Sequence, residues 1–376
     1  MKKRAYLGAG IFDGTGLHDG KALLLDGTAV AGICDPDDLP VDCEVTTLTG
    51  GTVLPGFVDL QVNGGGGVMF NDETSLDGLV AIAKAHAATG TRALLPTLIT
   101  DTPERTRAAV DAVEKAIAAQ VPGIIGIHLE GPHLSNARKG AHDPALIRKM
   151  DQADEEFLVQ AARRLANVMV TVAPENVTRA QIRRLAEAGV IVSLGHTDCS
   201  MAEAVAAFDA GARCVTHLFN AMRQMGSREP GLVGAALRTK GVSAGLIADG
   251  IHVHPASMAV ALDAKTDPGA IFLVTDAMAT AGSAITEFDL NGRRVLRRNG
   301  RLTLEDGTLA GADLAFGRAL CVMVKQVGLT KTDAFRMATT VPAQVLNTAF
   351  GYGRLAKSAK ANAIWLDDSY GNVRAL

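Results

Sequence analysis

Apolar runs and amphipathic stretches alternate along most of the chain, and their periods predict its secondary structure. Apolar, β-branched runs that indicate buried strands lie at 53–62, 91–99, 123–130, 168–173, 190–195, 213–218, 242–248 and 270–275. Most are separated by alanine-rich amphipathic stretches, which predict helices at 75–89, 104–119, 154–165, 178–188, 201–210 and 255–265. Eight strands that alternate with helices indicate a parallel sheet and an α/β fold. The simplest such fold is a closed (β/α)8 TIM-type barrel, with a doubly wound open sheet as the alternative.

The two ends of the chain show a different pattern from its centre. Short strand-like pieces broken by glycine fill residues 1–52, and a further strand-like run, AIWL, lies within residues 349–376. No helical periodicity occurs before Ser75. We therefore predict a small β-sandwich or β-barrel domain formed from both termini, which brackets a barrel domain at 53–348.

Residues 285–309 interrupt the alternation of strands and helices. They contain two Asn-Gly pairs, a dipeptide that favours the tight turn of a β-hairpin. We predict a β-hairpin insertion after the eighth strand, followed by helices at 313–327 and 331–348 that complete the barrel.

Composition and charge narrow the range of partners. The net charge of the 376 residues is −3 and only 4% of them are aromatic, which argues against a nucleic-acid or membrane-surface partner. No uncharged apolar run approaches the roughly 20 residues of a membrane-spanning helix, and the basic start MKKR is not followed by the apolar core of a signal peptide. Five scattered cysteines indicate reduced thiols. We therefore expect a cytoplasmic protein.

Polar residues stand at the carboxyl ends of several predicted strands. Glu130 ends the third strand, His196 and His217 end the fifth and sixth, and Asp276 ends the eighth. Because all strands of a parallel barrel run the same way, these residues should converge at one mouth. Two histidines and a carboxylate are the ligand type of a catalytic zinc-like site with an open position for water.

Several single residues near these strand ends have alternative interpretations. Cys199 and Cys214 could form a structural zinc site with the nearby histidines, but Cys214 and His217 should face opposite sides of their strand. The glycines at 64–67 could cradle a phosphate, although a flexible turn near the site is the preferred interpretation. His128 shares a strand face with Glu130 but lies deeper, so we expect it to support the site.

Ten segments, distributed in this order over essentially the whole chain, carry a specific resemblance: PGFVDLQVNG, HLEGPHLS, KGAHDP, APE, LGHTD, THLFNAM, REPG, ADGIHV, LVTDAMATAG and LAGADL. They are similar to the N-acetylglucosamine-6-phosphate deacetylases of the amidohydrolase superfamily. The resemblance implies a barrel with a small β domain from both termini. It also implies hydrolysis of N-acetyl-D-glucosamine 6-phosphate to D-glucosamine 6-phosphate and acetate, in amino-sugar metabolism.

The resemblance also assigns roles to residues. Glu130, His196 and His217 would hold a metal ion, and Asp276 would act as catalytic base and acid. One divalent ion per subunit is expected, zinc first, with iron(II) or cobalt as alternatives. A single ion is expected because Gln61 and Asn63 replace the His-x-His pair that opens many amidohydrolases with two metals. Substrate contacts are implied for Ala141, His142, Asn220, Ala221, Arg228, Asp249, Gly250, Ile251, His252, Leu309, Ala310 and Gly311.

Arg228 carries a further implication of the resemblance. It matches a phosphate-binding arginine that the family supplies from the neighbouring subunit, so we expect a homodimer that binds a small amino-sugar phosphate. Three other functions remain open at this point. They are deacetylation of the galactosamine epimer, another amidohydrolase reaction such as cyclic-amide hydrolysis, and sensing of a sugar phosphate without catalysis.

Overall fold

The structure is a computed structural model and describes residues 3–376. Its strands are β1 (Lys3–Leu7), β2 (Gly10–Phe12), β3 (Leu17–His18), β4 (Ala22–Asp26), β5 (Ala29–Cys34), β6 (Glu44–Thr47), β7 (Thr52–Pro55), β8 (Phe57–Val62), β9 (Gly64–Gly65), β10 (Val68–Met69), β11 (Thr91–Ile99), β12 (Ile127–Glu130), β13 (Val168–Val172), β14 (Ile191–Leu194), β15 (Cys214–Val215), β16 (Ser243–Leu246), β17 (Ile271–Leu273), β18 (Glu287–Leu290), β19 (Arg293–Arg298), β20 (Arg301–Leu304), β21 (Leu309–Ala312), β22 (Ala363–Leu366) and β23 (Val373–Ala375). Its α-helices are α1 (Leu76–Ala88), α2 (Pro103–Ala118), α3 (Gln152–Arg164), α4 (Arg179–Glu187), α5 (Met201–Asp209), α6 (Gly231–Arg238), α7 (Pro255–Ala264), α8 (Phe316–Val322), α9 (Lys331–Ala338) and α10 (Thr340–Val345).

Eight parallel strands form the central sheet, and each lies beside its neighbours in the sequence. The order runs from β8 through β11 to β17 without reversal. The two outer strands of this order meet again at a seam, where the backbone N–H of Asp276 donates to the carbonyl of Gln61 at 3.0 Å and Val62 pairs with Ala277. The predicted (β/α)8 barrel is therefore confirmed, and the open doubly wound sheet is wrong.

The helices that cover the barrel begin at side chains suited to that position. Thr102, Thr178 and Ser200 each accept a hydrogen bond from a backbone N–H of the first turn, and Pro103 opens α2. Such caps satisfy N–H groups that have no partner inside the helix. The apolar face of α2, which includes Val110 and Val113, then packs in the core.

Three elements differ from the sequence predictions. The predicted strand 53–62 is two strands, because β7 pairs with β2 and β22 in a terminal sheet while only β8 belongs to the barrel. The predicted helix 331–348 is interrupted at Thr339, whose φ and ψ of −132° and −79° are not helical. Helix α6 was not predicted. Residues 231–237 of this helix are all buried, so it lacks the polar face that reveals a helix in a sequence.

The terminal strands, predicted to form one small β domain, form two sheets. The sheet β5-β4-β1-β6 contains only strands near the N-terminus, whereas β23-β22-β7-β2-β3 combines strands from both termini. The predicted hairpin insertion is also confirmed, as an antiparallel sheet of β18 to β21. Its turns place Asn291 and Asn299 at φ of 50° and 53°, each followed by a glycine at positive φ, as a two-residue hairpin turn requires. No helix within residues 3–376 is long and apolar enough to cross a membrane.

Candidate active site

Polar side chains from several barrel strands converge in a cavity of about 390 Å³. Glu130 is the last residue of β12, whereas His196 and His217 each follow their strand, β14 or β15, by two residues. Asp276 follows β17 by three residues. All four side chains are buried and line the cavity. The carboxyl ends of the parallel strands therefore bring together the four residues that the sequence analysis selected.

Glu130, His196 and His217 form a compact triangle. Oε1 of Glu130 lies 3.2 Å from Nε2 of His196 and 3.0 Å from Nε2 of His217, and the two nitrogens are 3.1 Å apart. A tetrahedral zinc ion with bonds of about 2.0–2.1 Å requires ligand atoms roughly 3.3 Å apart. The spacing of the three atoms thus fits a shared divalent ion.

The hydrogen bonds of His196 show which of its nitrogens is available to a metal. Nδ1 lies 2.9 Å from the carbonyl oxygen of Arg138, and because that oxygen can only accept, Nδ1 carries a proton. Nε2 is then the nitrogen available to a metal ion, and it faces the Glu130 carboxylate and Nε2 of His217. A carboxylate oxygen and two imidazole lone pairs would repel one another, so a proton or a metal cation is needed between these atoms, and the donor set itself fits a metal ion.

His142 is a further candidate ligand, because Glu130, His142 and His196 offer atoms within 4.8 Å of one another. However, Nδ1 of His142 accepts from the backbone N–H of Thr100 at 3.3 Å and lies 2.8 Å from the Thr100 hydroxyl, which can also donate to it. The proton of the ring is then on Nε2, 3.9 Å from Oε2 of Glu130. Burial and the nearby His196 hold the pKa of His142 well below its usual range, so the ring is neutral. A protonated Nε2 donates hydrogen bonds and does not bind a metal, so His217 is the better third ligand.

Gln61 and Asn63, the residues that the motif resemblance places at a His-x-His pair, act as donors through their amide groups. Nε2 of Gln61 lies 3.1 Å from both Oε1 of Glu130 and Oδ1 of Asp276. Nδ2 of Asn63 donates to the same Oδ1 of Asp276 at 2.7 Å. A second metal ion in this region would need ligand atoms with free lone pairs. Gln61 and Asn63 instead present N–H groups, which cannot bind a metal ion.

The two carboxylates of the site have opposite pKa shifts. Burial acts to raise the pKa of Glu130, but its contacts with His196 and His217 outweigh burial and hold that pKa well below its usual range. For Asp276, burial and the negative charge of Glu130 raise the pKa to about 6. Glu130 is therefore suited to be a charged ligand, and Asp276 to exchange a proton near neutral pH.

Most of the predicted substrate contacts also line the cavity, namely Ala141, His142, Asn220, Ala221, His252, Leu309 and Gly311. Asp249 lies behind them and binds Nδ1 of His252 at 2.6 Å. Gly250 and Ile251 complete the turn between these two residues, and the N–H of Ile251 donates to Asp249.

Two predicted contacts lie elsewhere. Ala310 is fully buried in the apolar core of the inserted sheet, because alternate residues of β21 face opposite sides. Arg228 is exposed on the loop after β15 and does not line the cavity of its own chain. Two carboxylates that could pair with Arg228 are engaged with other groups, since Glu229 accepts from the N–H groups of Met201 and Gly231, and Asp249 holds His252.

The structure also decides the two alternatives raised for cysteine and glycine. Neither Cys199 nor Cys214 belongs to a group of three or more side chains within residues 3–376 that could hold a metal ion, and burial raises the pKa of their thiols to about 12 and about 11. The N–H groups of Gly64, Gly66 and Gly67 donate to carbonyls of residues 277–281, so these donors are not available to a phosphate. The glycine run is thus a turn packed beside the site.

Sequence reasoning missed several residues that shape the cavity. Arg138 fixes His196 through its carbonyl, and its side chain donates to Asp198 at 2.8 Å. Arg293 of the inserted sheet donates to the carbonyl of Ala141, and Thr308 lines the cavity. Arg138 lies just before KGAHDP, so this motif could have indicated the importance of its loop. Arg293 is 152 positions from Ala141, and no local sequence feature connects the two.

Comparisons with known proteins agree with this geometry. The profile of the Amidohydrolase family matches residues 52–375. The chain belongs to the amidohydrolase family. Among the amidohydrolases similar to it, an N-acetylgalactosamine-6-phosphate deacetylase from Shewanella sp. (strain ANA-3) is 44% identical over 85% of this chain and 80% of the relative. An N-acetylglucosamine-6-phosphate deacetylase from Haemophilus influenzae is 32% identical over 93% of this chain and 91% of the relative.

A solved amidohydrolase structure shares the whole architecture. N-acetylglucosamine-6-phosphate deacetylase from Pasteurella multocida aligns with a TM-score of 0.93 and 32% identity, and the alignment covers 100% of both chains. The amidohydrolase family and the barrel fold expected from the sequence motifs are therefore confirmed. The relatives carry names for both hexosamine epimers, so they leave the choice of epimer open.

Proposed function

We propose that this amidohydrolase removes the acetyl group of an N-acetyl-D-hexosamine 6-phosphate, releasing the free amino-sugar phosphate and acetate. The observation that carries the proposal is the convergence of Glu130, His196 and His217 beside Asp276 in one cavity of about 390 Å³. An amide needs carbonyl polarisation, an activated water and a proton donor for the leaving amine. This arrangement can supply all three.

Glu130, His196 and His217 would hold one divalent ion. When bound, such an ion polarises the amide carbonyl and makes water a better nucleophile. The protein's own contribution is the charge of Glu130 and the orientation of His196, whose Nδ1 proton is held by the Arg138 carbonyl at 2.9 Å.

Asp276 would move the proton. Its Oδ1 accepts hydrogen bonds from Gln61 at 3.1 Å and Asn63 at 2.7 Å, which leaves Oδ2 to accept the proton of the attacking water. The new bond joins the water oxygen to the acetyl carbon. When the bond between that carbon and the sugar nitrogen breaks, Oδ2 returns the proton to the nitrogen.

Two further histidines would orient the sugar. Nε2–H of His142 is a donor for a substrate oxygen, because Nδ1 is occupied by Thr100. His252 is held by Asp249 through Nδ1 at 2.6 Å, which leaves Nε2 to interact with the substrate. For Asp249, burial opposes ionisation, but its bonds to His252 and to backbone N–H groups lower its pKa.

Arg228 would bind the 6-phosphate in the active site of a partner subunit. A guanidinium can donate two parallel hydrogen bonds to a phosphate, and Arg228 is exposed outside its own cavity. The neighbouring Arg223 donates to Asp198 at 2.6 Å and anchors the loop to its own barrel, while Arg228 lies farther along the loop. A homodimer in which the two loops exchange is consistent with this placement.

The epimer is a separate question within this proposal. The sequence motifs first suggested N-acetylglucosamine 6-phosphate. The 44% identity to the galactosamine-phosphate enzyme, against 32% to the glucosamine-phosphate enzyme, now favours N-acetylgalactosamine 6-phosphate as the better substrate.

The decisive experiment measures kcat/KM for both 6-phosphorylated epimers and for unphosphorylated N-acetylglucosamine, with zinc content determined on the same sample. We expect zinc-dependent acetate release from both phosphorylated sugars, fastest from the galacto epimer, and weak turnover of the unphosphorylated sugar. A faster gluco epimer would reverse the epimer assignment. Tight sugar-phosphate binding without acetate release by the zinc-loaded protein would indicate a sensor and overturn the proposal.

A further inference from the structure

A chain of buried hydrogen bonds crosses the barrel interior beneath the cavity. Nδ1 of His128 lies 3.0 Å from the carbonyl of Leu60, and its Nε2 lies 2.7 Å from Oγ1 of Thr171. Oγ1 of Thr171 lies 2.6 Å from Oγ1 of Thr216, which in turn lies 2.7 Å from Oγ of Ser193. All four polar side chains are at most 4% exposed.

The donors and acceptors of this chain have one consistent order. The Leu60 carbonyl can only accept, so Nδ1 of neutral His128 carries the proton and Nε2 accepts from the hydroxyl of Thr171. The single hydroxyl proton of Thr171 is then used, so the contact with Thr216 requires Thr216 to donate. By the same reasoning Ser193 donates to Thr216. Removing a hydroxyl from the middle of the chain would leave a buried acceptor without its donor.

Four of the five residues linked by these hydrogen bonds lie close in sequence to a residue of the active site. His128 precedes Glu130 by two residues on β12, Ser193 precedes His196 by three, and Thr216 directly precedes His217. Leu60 lies one residue before Gln61 on β8. Thr171 is the exception, because the strand that carries it, β13, ends in none of the proposed ligands. The series of hydrogen bonds thus links β8, β12, β14 and β15, the strands next to site residues, through β13, which carries no site residue.

We infer that His128, Thr171, Thr216 and Ser193 are positioning residues that set the spacing of Glu130, His196 and His217 for metal binding. The triangle has edges of 3.0–3.2 Å, and displacement of any one strand end would open it. Backbone pairing sets the register of these strands, and the side-chain hydrogen bonds add a second link between them in the barrel interior, one layer below the site. The inference rests on the proposed metal site, but not on the identity of the substrate.

Thr171 offers the sharpest test because two substitutions distinguish the role of its hydroxyl group from the role of its branched shape. Thr171→Val removes the hydroxyl and keeps the branched shape, whereas Thr171→Ser keeps the hydroxyl and removes the methyl group. That methyl is packed, since a Cβ placed on Gly195 would lie 2.9 Å from it. A residue that acts only by packing should therefore tolerate valine better than serine.

The measurement is zinc affinity, by competition with a chromophoric chelator, together with the Tm of each metal-free variant. We expect Thr171→Val to weaken zinc binding by roughly 10- to 100-fold, as loss of a supporting contact around a metal site does elsewhere, and Thr171→Ser to retain affinity. Unchanged affinity in Thr171→Val, or a larger loss in Thr171→Ser, would overturn the inference.

A second variant covers the case in which Thr171→Val does not fold. Ser193→Ala removes the last donor of this hydrogen-bond chain and leaves His128 and Thr171 paired, so we expect a smaller loss of zinc affinity and a smaller fall in metal-free Tm than in Thr171→Val. Unchanged affinity in that variant would then overturn the inference. Because these affinities require no turnover, a protein that binds zinc through the triangle but does not deacetylate sugars would contradict the proposed function alone.

Discussion

At the scale of single residues, the site depends on unusual backbone conformations directly after the strands. His196, His217 and Asp276 have φ of 47°, 28° and 50°, in the left-handed region that residues with a side chain rarely adopt. Each such conformation costs on the order of 1–3 kcal/mol and persists only where the surrounding structure enforces it. Here it coincides with three side chains that turn into the same cavity, which links the strain to function.

Asp276→Asn tests the proposed proton transfer. Asparagine keeps an oxygen that can accept from Gln61 and Asn63, so we expect metal content and Tm to be retained. It cannot take up the proton, so kcat should fall by roughly 10²–10⁴-fold. Steady-state kinetics on protein of known metal content measures this, and a kcat close to that of the unchanged protein would show that another group acts as the base.

The donors around Asp276 predict one tightly bound metal ion per chain. Gln61 and Asn63 direct N–H groups, not lone pairs, at the two carboxylates, so a second ion lacks ligands. Elemental analysis of dialysed protein should give one equivalent, and His217→Ala should reduce it to near zero. His142→Ala is the matched control and should retain the ion, because its Nε2 is protonated. Two equivalents in the active protein would disprove the single-ion assignment.

At the scale of elements, the seam of the barrel depends on a buried carboxylate. Asp59 of β8 accepts hydrogen bonds from Oγ1 and N of Thr275, just beyond β17, at 2.5 and 3.2 Å. Regular strand pairing is sparse there, so these bonds replace part of it. Burial raises the pKa of Asp59 to about 7, despite the hydrogen bonds from Thr275 that lower it.

Asp59→Asn should therefore change how stability depends on pH. A carboxyl with a raised folded-state pKa contributes stability that is complete below its ordinary value of 3.8 and is lost as pH rises through about 7. Asparagine does not ionise and so does not lose this contribution. Between pH 4 and pH 8, the free energy of unfolding of the variant should therefore rise by a few kcal/mol relative to that of the unchanged protein. Calorimetric Tm across that interval measures the effect, and a constant difference in Tm would contradict it.

At the scale of the whole molecule, the proposed site extends beyond one barrel. The inserted sheet of β18 to β21 contributes Leu290 and Thr308 to the cavity, and Arg293 holds the carbonyl of Ala141. The arginine proposed for the phosphate is exposed and outside the cavity of its own chain. A complete substrate site would then require two chains.

Mixed dimers test whether Arg228 acts across an interface. In a dimer of one Arg228→Ala chain and one Asp276→Asn chain, exchange of the loops leaves one of the two sites with both residues intact. Co-expressed chains with different tags, purified as heterodimers, should therefore recover activity that both parent variants lack. Arg228→Ala alone should raise KM strongly for the phosphorylated sugar and little for the unphosphorylated one. Confirmed heterodimers without recovered activity would exclude a role in trans.

The sequence determined the barrel and its four central residues. Period and order predicted eight strands alternating with helices, and parallel strands must all end at one mouth, so Glu130, His196, His217 and Asp276 could be placed together from strand ends alone. Helix α6 and the break at Thr339 escaped prediction because burial on all sides and a single non-helical residue leave no periodic signal.

Only the tertiary structure decided how these residues are held and which atoms they present. The Arg138 carbonyl fixes the proton of His196, the Thr100 N–H removes His142 from the ligand set, and Gln61 saturates one oxygen of Asp276. The two residues of each pair, in the order just given, are separated by 58, 42 and 215 positions in the sequence. Strand ends follow from local periodicity, whereas such contacts depend on where long loops fold back, and no local pattern of apolar and polar residues encodes that geometry.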